Sequence, residues 1–449
     1  MSNTQFDCKC ALAVGEDMVT KSKEIMELDK KYYQQGYARV PIVIVEGKGA
    51  VLKDIEGNEY IDCFAGIATA NAGHAPDALV KAGTEQMKKL FHVSGRFHTV
   101  PQVKLAKKLS EITPGDLKKT FLCNSGTEAV ENAVKLVKKY AFTNGLTGGA
   151  MISLECAFHG RLGYSFSLTA NASYKKGFGS YSNAPGVKHA PVPYSYRSKF
   201  SEEDCGVEAA NRLEEVIDRQ TTGDVAAFIM EPILGEGGII VPPDSYFREI
   251  VKILNERDIP FIVDEVQTGF GRTGKLLASE HWGLEPDVMT LAKGMGGGIP
   301  IGACIGTDQI ASCVESGDFF STYGGNPVTS AISLANINYI QEAGLVENSA
   351  KVGKVFLDGL ADIQKRRPLI GDVRGKGLMI GIELVKDPSS KKPAKNETKS
   401  LVEKLQKAGV IIGLGGIFKN VLRLQPPLVI SEEQAKTVLE KVDDGFSKI

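Results

Sequence analysis

The sequence predicts an α/β fold, with a mostly parallel sheet in a large domain and a smaller α+β domain beside it. Between about residues 100 and 320, apolar strand-like runs alternate with helical ones: GGAMISL, DVAAFIMEP, IPFIVDEV, DVMTLAK and IGACIG. Near-continuous apolar strands separated by helices are typical of a parallel sheet covered on both faces. The length, 449 residues, also exceeds that of one ordinary compact domain.

The chain is predicted to divide into three segments. Residues 1–62 contain the strand-like runs VPIVIVEGKG and AVLKDIEGNEYIDCF, punctuated by glycine, and we assign this antiparallel unit to the small domain. Residues 63–328 carry the alternating strands and helices of the large domain. Residues 329–449 form the C-terminal small domain, with the strands GKGLMIGIELV and VLRLQPPLVI and a final helix from Ser431.

The balance of charge excludes several classes of partner. Lys and Arg number 53 against 54 Asp and Glu, so no net field draws the protein onto nucleic acid or an acidic membrane. No stretch reaches the ~20 apolar residues that span a bilayer, and the first residues lack the pattern of a signal peptide. We therefore expect a cytoplasmic protein without nucleic-acid or membrane partners.

The eight cysteines are scattered, without a CxxC pair or a histidine-rich neighbour. A structural zinc site needs a cluster of such ligands, so no metal site is expected and buried free thiols are the simpler interpretation. Cys8 and Cys10 stand close together near the start of the chain, and metal binding or oxidation is the alternative for that pair.

The segment LCNSGTEAVENAVKLVKKYAF predicts a strand that ends at Cys123 and a helix that begins near Ser125. One face of this helix is apolar: Val130, Ala133, Val134, Val137 and Ala141. Ser125 and Glu128 have the spacing of a capping box. Gly126 keeps the backbone uncrowded, and Thr127 adds a hydroxyl where free N–H groups and the positive end of the helix dipole point outward. This turn is a candidate phosphate site, and a cap without a ligand is the alternative.

Two further strands deliver charged residues to their carboxyl ends, where ligands bind in open α/β sheets. The run IPFIVDEV delivers Asp264 and Glu265, and a buried acid needs a partner such as a metal or a cationic ring nitrogen. No histidine lies within ten residues, which favours the ring nitrogen. The run DVMTLAK ends in Lys293. Burial lowers the pKa of such a lysine and leaves the nucleophilic amine that Schiff-base chemistry requires, whereas a surface lysine is the alternative.

Six short motifs occur in the order and spacing of one enzyme family. They are SGTEA at 125–129, FHGR at 158–161, EPILGEGG at 231–238, DEVQTGFGRTG at 264–274, LAKG at 291–294 and TYGGNP at 322–327. With these motifs, roughly residues 30 to 445 resemble the class III aminotransferases, which depend on pyridoxal 5'-phosphate (PLP) and have the fold type I architecture. The resemblance implies an enzyme that transfers amino groups.

The resemblance also implies the roles of the cofactor site. Lys293 would hold PLP as a Schiff base and move the α-proton of the substrate, while Asp264 would pair with the pyridinium nitrogen. Gln267 would bind the phenolic oxygen, and Phe158 would stack on the ring. The other residues implied in cofactor binding are Ser125, Gly126, Thr127, His159, Glu231 and Thr322. Thr322 would come from the neighbouring subunit, which implies a homodimer with shared active sites.

Two arginines and an acid are implied in substrate binding. Arg161 corresponds to the arginine that holds the distal carboxylate of glutamate or 2-oxoglutarate, and Arg423 to the one that holds the α-carboxylate. Glu236 corresponds to the acid that neutralises Arg423 when an ω-amine enters. A surface salt bridge is the alternative for either arginine.

These residues favour a reaction in which an ω-amino acid gives its amino group to 2-oxoglutarate. The donor would be of the 4-aminobutyrate, ornithine or acetylornithine type. Transfer to pyruvate or glyoxylate is one alternative. A racemase, epimerase or aminomutase reaction on the same fold is the other.

Overall fold

The computed structural model describes residues 18–449, and within this range the chain forms fourteen strands and fourteen α-helices. The strands are β1 (Ile44–Lys48), β2 (Val51–Asp54), β3 (Glu59–Cys63), β4 (Leu117–Cys123), β5 (Ala150–Leu154), β6 (Val187–Ala190), β7 (Val225–Met230), β8 (Phe261–Asp264), β9 (Val288–Leu291), β10 (Gly302–Thr307), β11 (Ile370–Lys376), β12 (Met379–Leu384), β13 (Val410–Gly415) and β14 (Val421–Leu424). The helices are α1 (Met18–Tyr32), α2 (Ala65–Ala68), α3 (Asp77–Met87), α4 (Val100–Ile112), α5 (Gly126–Thr143), α6 (Gly163–Leu168), α7 (Ala172–Lys175), α8 (Glu202–Gln220), α9 (Asp244–Glu256), α10 (Asp308–Ala311), α11 (Pro327–Glu342), α12 (Leu345–Arg366), α13 (Lys395–Lys407) and α14 (Glu432–Ser447).

One seven-stranded sheet has the order β4-β10-β9-β8-β7-β5-β6. The strands from β9 to β6 are parallel, whereas β10 runs antiparallel to both β9 and β4. Alternate residues of β7 face opposite sides of the sheet. Ala227 and Ile229 pack in the hydrophobic cluster that contains α5, and Phe228 and Met230 pack in the cluster that contains α8 and α9. The sheet is therefore mostly parallel and covered on both faces, which confirms the predicted fold class.

The second seven-stranded sheet joins strands from the two ends of the described chain. Its order is β1-β2-β3-β13-β14-β12-β11, and its pairs are antiparallel except for the parallel pair of β3 with β13. In that pair, Ile61 lies opposite Val410. The antiparallel unit expected near the N-terminus is thus one edge of a larger sheet. The domain boundaries at 62/63 and 328/329 stay a prediction.

Two local features differ from the sequence pattern. The pattern does not predict α1, which precedes the first strand. The predicted strand VLRLQPPLVI ends early, because β14 stops at Leu424 and Pro426 and Pro427 follow, and proline has no N–H for a strand ladder. The final helix begins after its N-cap residue Ser431, as predicted.

The cysteines within the described residues are buried and free, as expected: Cys63, Cys123, Cys156, Cys205, Cys304 and Cys313. Cys8 and Cys10 lie outside the described residues. Across residues 18–449, none of the helices combines the length and the apolar composition that are needed to cross a membrane.

Candidate active site

The turn before α5 has the geometry of a capped helix N-terminus. The hydroxyl of the N-cap residue Ser125 accepts a hydrogen bond of 3.2 Å from the N–H of Glu128. The carboxylate of Glu128 accepts a hydrogen bond of 2.8 Å from the N–H of Asn124. In the expected capping box it would accept from the N–H of the N-cap residue itself, which is one residue later. The five residues of the predicted apolar face are all buried: Val130, Ala133, Val134, Val137 and Ala141. The predicted helix start is confirmed.

Gly126 and Thr127 open α5 beside the loop that follows β8. A Cβ atom added to Gly126 would lie 2.6 Å from Cγ1 of Val266, closer than real Cβ atoms come to a neighbour. Glycine therefore permits this close approach. The N–H groups of the first helical turn have no acceptor within the helix, and they lie at the positive end of the helix dipole.

Asp264 ends β8, as predicted, and only 3% of its surface is exposed. Its Oδ2 lies 2.7 Å from Nδ1 of His159. Its Oδ1 accepts hydrogen bonds from the hydroxyl of Thr290 at 2.9 Å and from the N–H of Val266 at 3.1 Å. These three contacts fix the orientation of the carboxylate.

Glu265 follows the last residue of β8, and it does not line the cavity described below. Its carboxylate accepts hydrogen bonds from the N–H of Ser279, at 2.7 Å, and from the hydroxyl of Thr268. Burial raises the pKa of Glu265, and these bonds oppose the shift. Of the two adjacent acids, Glu265 therefore stabilises the loop that follows β8, and Asp264 is the one that lines the cavity.

Lys293 follows β9 by two residues, and β9 pairs with β8 so that Thr290 lies opposite Asp264. The backbone of Lys293 has a φ of 40°, a left-handed value that is strained for any residue with a side chain. Burial lowers the pKa of its amine, and the carboxylates of Glu236, Glu231 and Asp264 oppose the shift. The net direction favours the neutral, nucleophilic amine.

A cavity of about 350 Å³ brings most of the predicted cofactor residues together. Its walls include Ser125, Gly126, Thr127, Phe158, His159, Glu231, Asp264, Gln267 and Lys293. Thr322 does not line this cavity, and it is exposed on the single chain.

Other residues of the cavity wall are not predicted by the sequence analysis. Asn124, Val266 and the loop 298–301 line the cavity, and so does Thr69. The glycine run after Lys293 is a sequence feature that points to the loop. No local sequence feature points to Thr69, which follows the left-handed turn α2.

Glu231 and Gln267 are held in place by their neighbours. The two carboxylate oxygens of Glu231 accept hydrogen bonds from the N–H groups of Phe158 and Gly235, each at 2.9 Å. Burial raises the pKa of Glu231 to about 7. Gln267 lines the cavity, and its amide oxygen accepts a hydrogen bond of 3.0 Å from Nε2 of Gln425.

Arg423 and Glu236 form an ion pair beside the cavity. Nη1 of Arg423 lies 2.6 Å from Oε1 of Glu236, and both side chains are largely buried. Nε of Arg423 is buried without a hydrogen-bond partner among the described residues. Burial opposes ionisation of Glu236, but the charges of Arg423 and Lys293 outweigh it and lower the pKa of Glu236.

Arg161 lies on the surface at the end of the FHGR segment. Its guanidinium carbon is 4.0 Å from the ring centroid of Tyr174 and 5.7 Å from that of Phe158. Phe158 itself lines the cavity, so Arg161 stands at its edge. The three predicted substrate residues thus do not line the cavity themselves, whereas the predicted cofactor residues other than Thr322 do.

The sequence and the fold match known proteins over nearly the whole chain. The family described as aminotransferase class-III matches residues 32–446. The acetylornithine aminotransferase of Methanothermobacter thermautotrophicus is 40% identical over 95% of this chain and 100% of its own. The 4-aminobutyrate aminotransferase of Mycobacterium bovis is 39% identical over 88% of each chain. The solved structure of a Bacillus anthracis aminotransferase has a TM-score of 0.91 at 31% identity, and the match covers 97% of this chain and 100% of that one.

Proposed function

Because the chain belongs to the class III aminotransferase family, we propose that it transfers an amino group from an ω-amino acid to 2-oxoglutarate, with PLP as its cofactor. One observation carries the proposal: the buried Asp264 and the half-buried Lys293 line one cavity, at the carboxyl ends of the neighbouring parallel strands β8 and β9. An amine with a lowered pKa and a carboxylate held in a fixed orientation are the two groups that amino transfer requires.

The side chains of the cavity fit PLP. The first turn of α5 offers N–H groups and the Thr127 hydroxyl to a phosphate, and Phe158 offers an aromatic face to a ring. Asp264 offers a carboxylate to a pyridinium nitrogen, and Gln267 an amide N–H to a phenolic oxygen. When bound, PLP supplies a sink for the electrons released as the α-proton of the substrate leaves, and Lys293 is the residue that would hold it covalently.

Two groups of residues at the cavity have separate roles in the reaction. His159, Thr290 and the N–H of Val266 orient Asp264, whose carboxylate would keep a proton on the ring nitrogen of the bound cofactor. The buried amine of Lys293, with its lowered pKa, takes up the α-proton and returns it.

The substrate class rests on Arg161, Arg423 and Glu236. With Glu236 paired to Arg423, Arg161 is left without an ion-pair partner among the described residues, and its single guanidinium suits an ω-amino acid with one carboxylate. When Glu236 leaves Arg423, two guanidinium groups suit the two carboxylates of 2-oxoglutarate. The names of the relatives, an acetylornithine and a 4-aminobutyrate aminotransferase, support the same class of donor.

We also propose a homodimer in which the partner subunit's Thr322 completes the phosphate site. Thr322 is exposed on the single chain, and the aromatic side chains near it are exposed too: Phe91 by 64%, Phe320 by 63% and Tyr323 by 64%. The rings of His92 and Tyr323 lie 5.3 Å apart, which joins these segments into one surface. A contiguous exposed apolar surface of this kind marks an interface.

We place the enzyme in the cytoplasm. Six free cysteines among the described residues are buried and unbridged. Free thiols suit the reducing conditions of that compartment.

The experiment that tests the proposal is Lys293→Ala. We expect the variant to fold and to bind PLP without the covalent link, and to lose transamination altogether, because no other lysine among residues 18–449 lines the cavity. Circular dichroism, the visible absorption of the bound cofactor and the formation of keto acid from an amino donor are the measurements.

Lys275→Ala is the matched control, because Lys275 is an exposed lysine in the loop after β8. It should behave as the wild type does. Wild-type transamination by Lys293→Ala would show that another lysine does the chemistry, and the assignment of the site would be wrong.

A further inference from the structure

We propose that Tyr174 determines substrate specificity because it acts on both carboxylate-binding arginines, on Arg161 directly and on Arg423 through Glu236. This inference rests on the proposed function. Tyr174 lies on the short helix α7, outside the motifs that mark the site. It is half-buried between Arg161 and Glu236, and its ring and its hydroxyl have different partners. The two parts of one side chain therefore act on two different carboxylate positions.

The ring of Tyr174 holds Arg161. The guanidinium carbon lies 4.0 Å from the ring centroid, within the range of a cation–π contact. Phe158 supports the ring from its edge, with centroids 6.0 Å apart and ring planes at 87°. Within the described part of the chain, no ion pair fixes Arg161, so the aromatic contact orders its guanidinium without occupying its N–H donors. Those donors remain available to a distal carboxylate.

The hydroxyl of Tyr174 faces Glu236. Its oxygen lies 3.5 Å from Oε2, while Oε1 of the same carboxylate lies 2.6 Å from Nη1 of Arg423. A contact of 3.5 Å is long, because an O–H···O⁻ hydrogen bond is strongest at about 2.5–2.7 Å. A displacement of Glu236 by roughly 1 Å toward Tyr174 would bring this bond to its optimum.

In this geometry the Tyr174 hydroxyl acts in the half-reaction whose substrate places its α-carboxylate on Arg423. A substrate that places its α-carboxylate on Arg423 must displace Glu236, and a displaced buried carboxylate needs a new donor. Tyr174 supplies that donor as the bond with Arg423 lengthens. An ω-amino acid leaves the Glu236–Arg423 pair intact and gains little from the hydroxyl.

The test separates the ring from the hydroxyl with two variants of the holoenzyme. Tyr174→Phe keeps the ring and Tyr174→Leu removes both parts. The probes are glutarate, which has two carboxylates, and butyrate, which has one, and isothermal titration calorimetry measures their Kd without turnover. For Tyr174→Phe we expect the Kd of glutarate to rise about tenfold, the scale of one hydrogen bond to a charged group, and that of butyrate to stay within about twofold.

For Tyr174→Leu we expect both Kd values to rise, by about threefold or more for butyrate, because Arg161 loses its aromatic support. In steady state, Tyr174→Phe should lower kcat/KM for glutamate much more than kcat/KM for 4-aminobutyrate. Tyr164→Phe is the matched control, since the Tyr164 hydroxyl also makes a 3.5 Å contact, to the carbonyl oxygen of Pro185. This control should leave both Kd values unchanged.

Equal Kd values for glutarate in Tyr174→Phe and the wild type would overturn the role of the hydroxyl. Equal Kd values for butyrate in Tyr174→Leu and the wild type would overturn the role of the ring. In both cases a wild type that binds glutarate and uses 2-oxoglutarate leaves the proposed function standing. A wild type that does neither refutes the proposed substrate class itself, and this inference with it.

Discussion

At the scale of single residues, Asp264 depends on the donors around its carboxylate. An amide at this position keeps the shape of the side chain but removes its charge. Its NH2 group would also meet hydrogen-bond donors, where the carboxylate oxygen now accepts. We expect Asp264→Asn to lower the rate of the first half-reaction by ~10²-fold or more, the usual effect of losing a preorganised charge. Cofactor affinity should fall far less, because α5 and Phe158 still hold the phosphate and the ring. Single-turnover kinetics and a PLP titration are the measurements, and an unchanged half-reaction would contradict the role of Asp264.

Arg161 decides between a dicarboxylate acceptor and a small one. Arg161→Ala removes a charge-assisted contact with the distal carboxylate of 2-oxoglutarate, whereas pyruvate has no such group. Because Arg161 is exposed on the single chain, we expect a loss in kcat/KM of about tenfold, the lower range for such contacts. The value for pyruvate should change little. Equal losses for both acceptors would show that Arg161 is structural, and the substrate class would lose its main support.

The sequence alone predicts the site residues that lie at the ends of strands. It does not predict the site residues that come from segments distant in sequence. Asp264 and Lys293 follow apolar runs, so their place at one edge of the sheet is predictable. Two acids in succession are not distinguishable by the strand pattern. The family resemblance implies Asp264, and in the structure Asp264 lines the cavity whereas Glu265 does not. Thr69 and Tyr174 meet the site through tertiary contacts between distant segments, which no local pattern encodes.

At the scale of elements, the start of α5 must approach the loop after β8. Gly126→Ala would place a Cβ atom against Val266, and such overpacking commonly costs about 1–3 kcal/mol. We expect a lower Tm and a weaker affinity for PLP, because the N-terminus of the helix is pushed out of position. Adding Val266→Ala to Gly126→Ala should restore much of both values. Wild-type affinity in the single variant would show that this close contact has no part in cofactor binding.

Most strands follow from apolar runs, but their direction does not. β10 is antiparallel to its neighbours, yet its run IGACIG reads like that of the parallel strands, because burial on both faces gives the same pattern in either direction. The early end of β14, by contrast, follows from the two prolines after it.

At the scale of the whole molecule, the proposed dimer predicts that two inactive variants complement each other. Thr322→Asp should repel the cofactor phosphate in the partner's site, and Lys293→Ala inactivates its own site. When the two are co-expressed, a hybrid dimer has one site with an intact lysine and an intact threonine. Random assembly should then restore about a quarter of the wild-type activity per subunit. Activity that stays at the level of the two homodimers would place Thr322 in the site of its own chain.

The pairing of β3 with β13 also has a consequence for biosynthesis. Ile61 leaves the ribosome early, but its partner Val410 leaves it near the end of translation. In the interval, β1 to β3 form only a three-stranded ribbon with an open edge, while the parallel sheet that holds Lys293 is already complete in sequence. Such an edge is where nascent chains associate wrongly, and a chaperone that binds extended segments would find its target there.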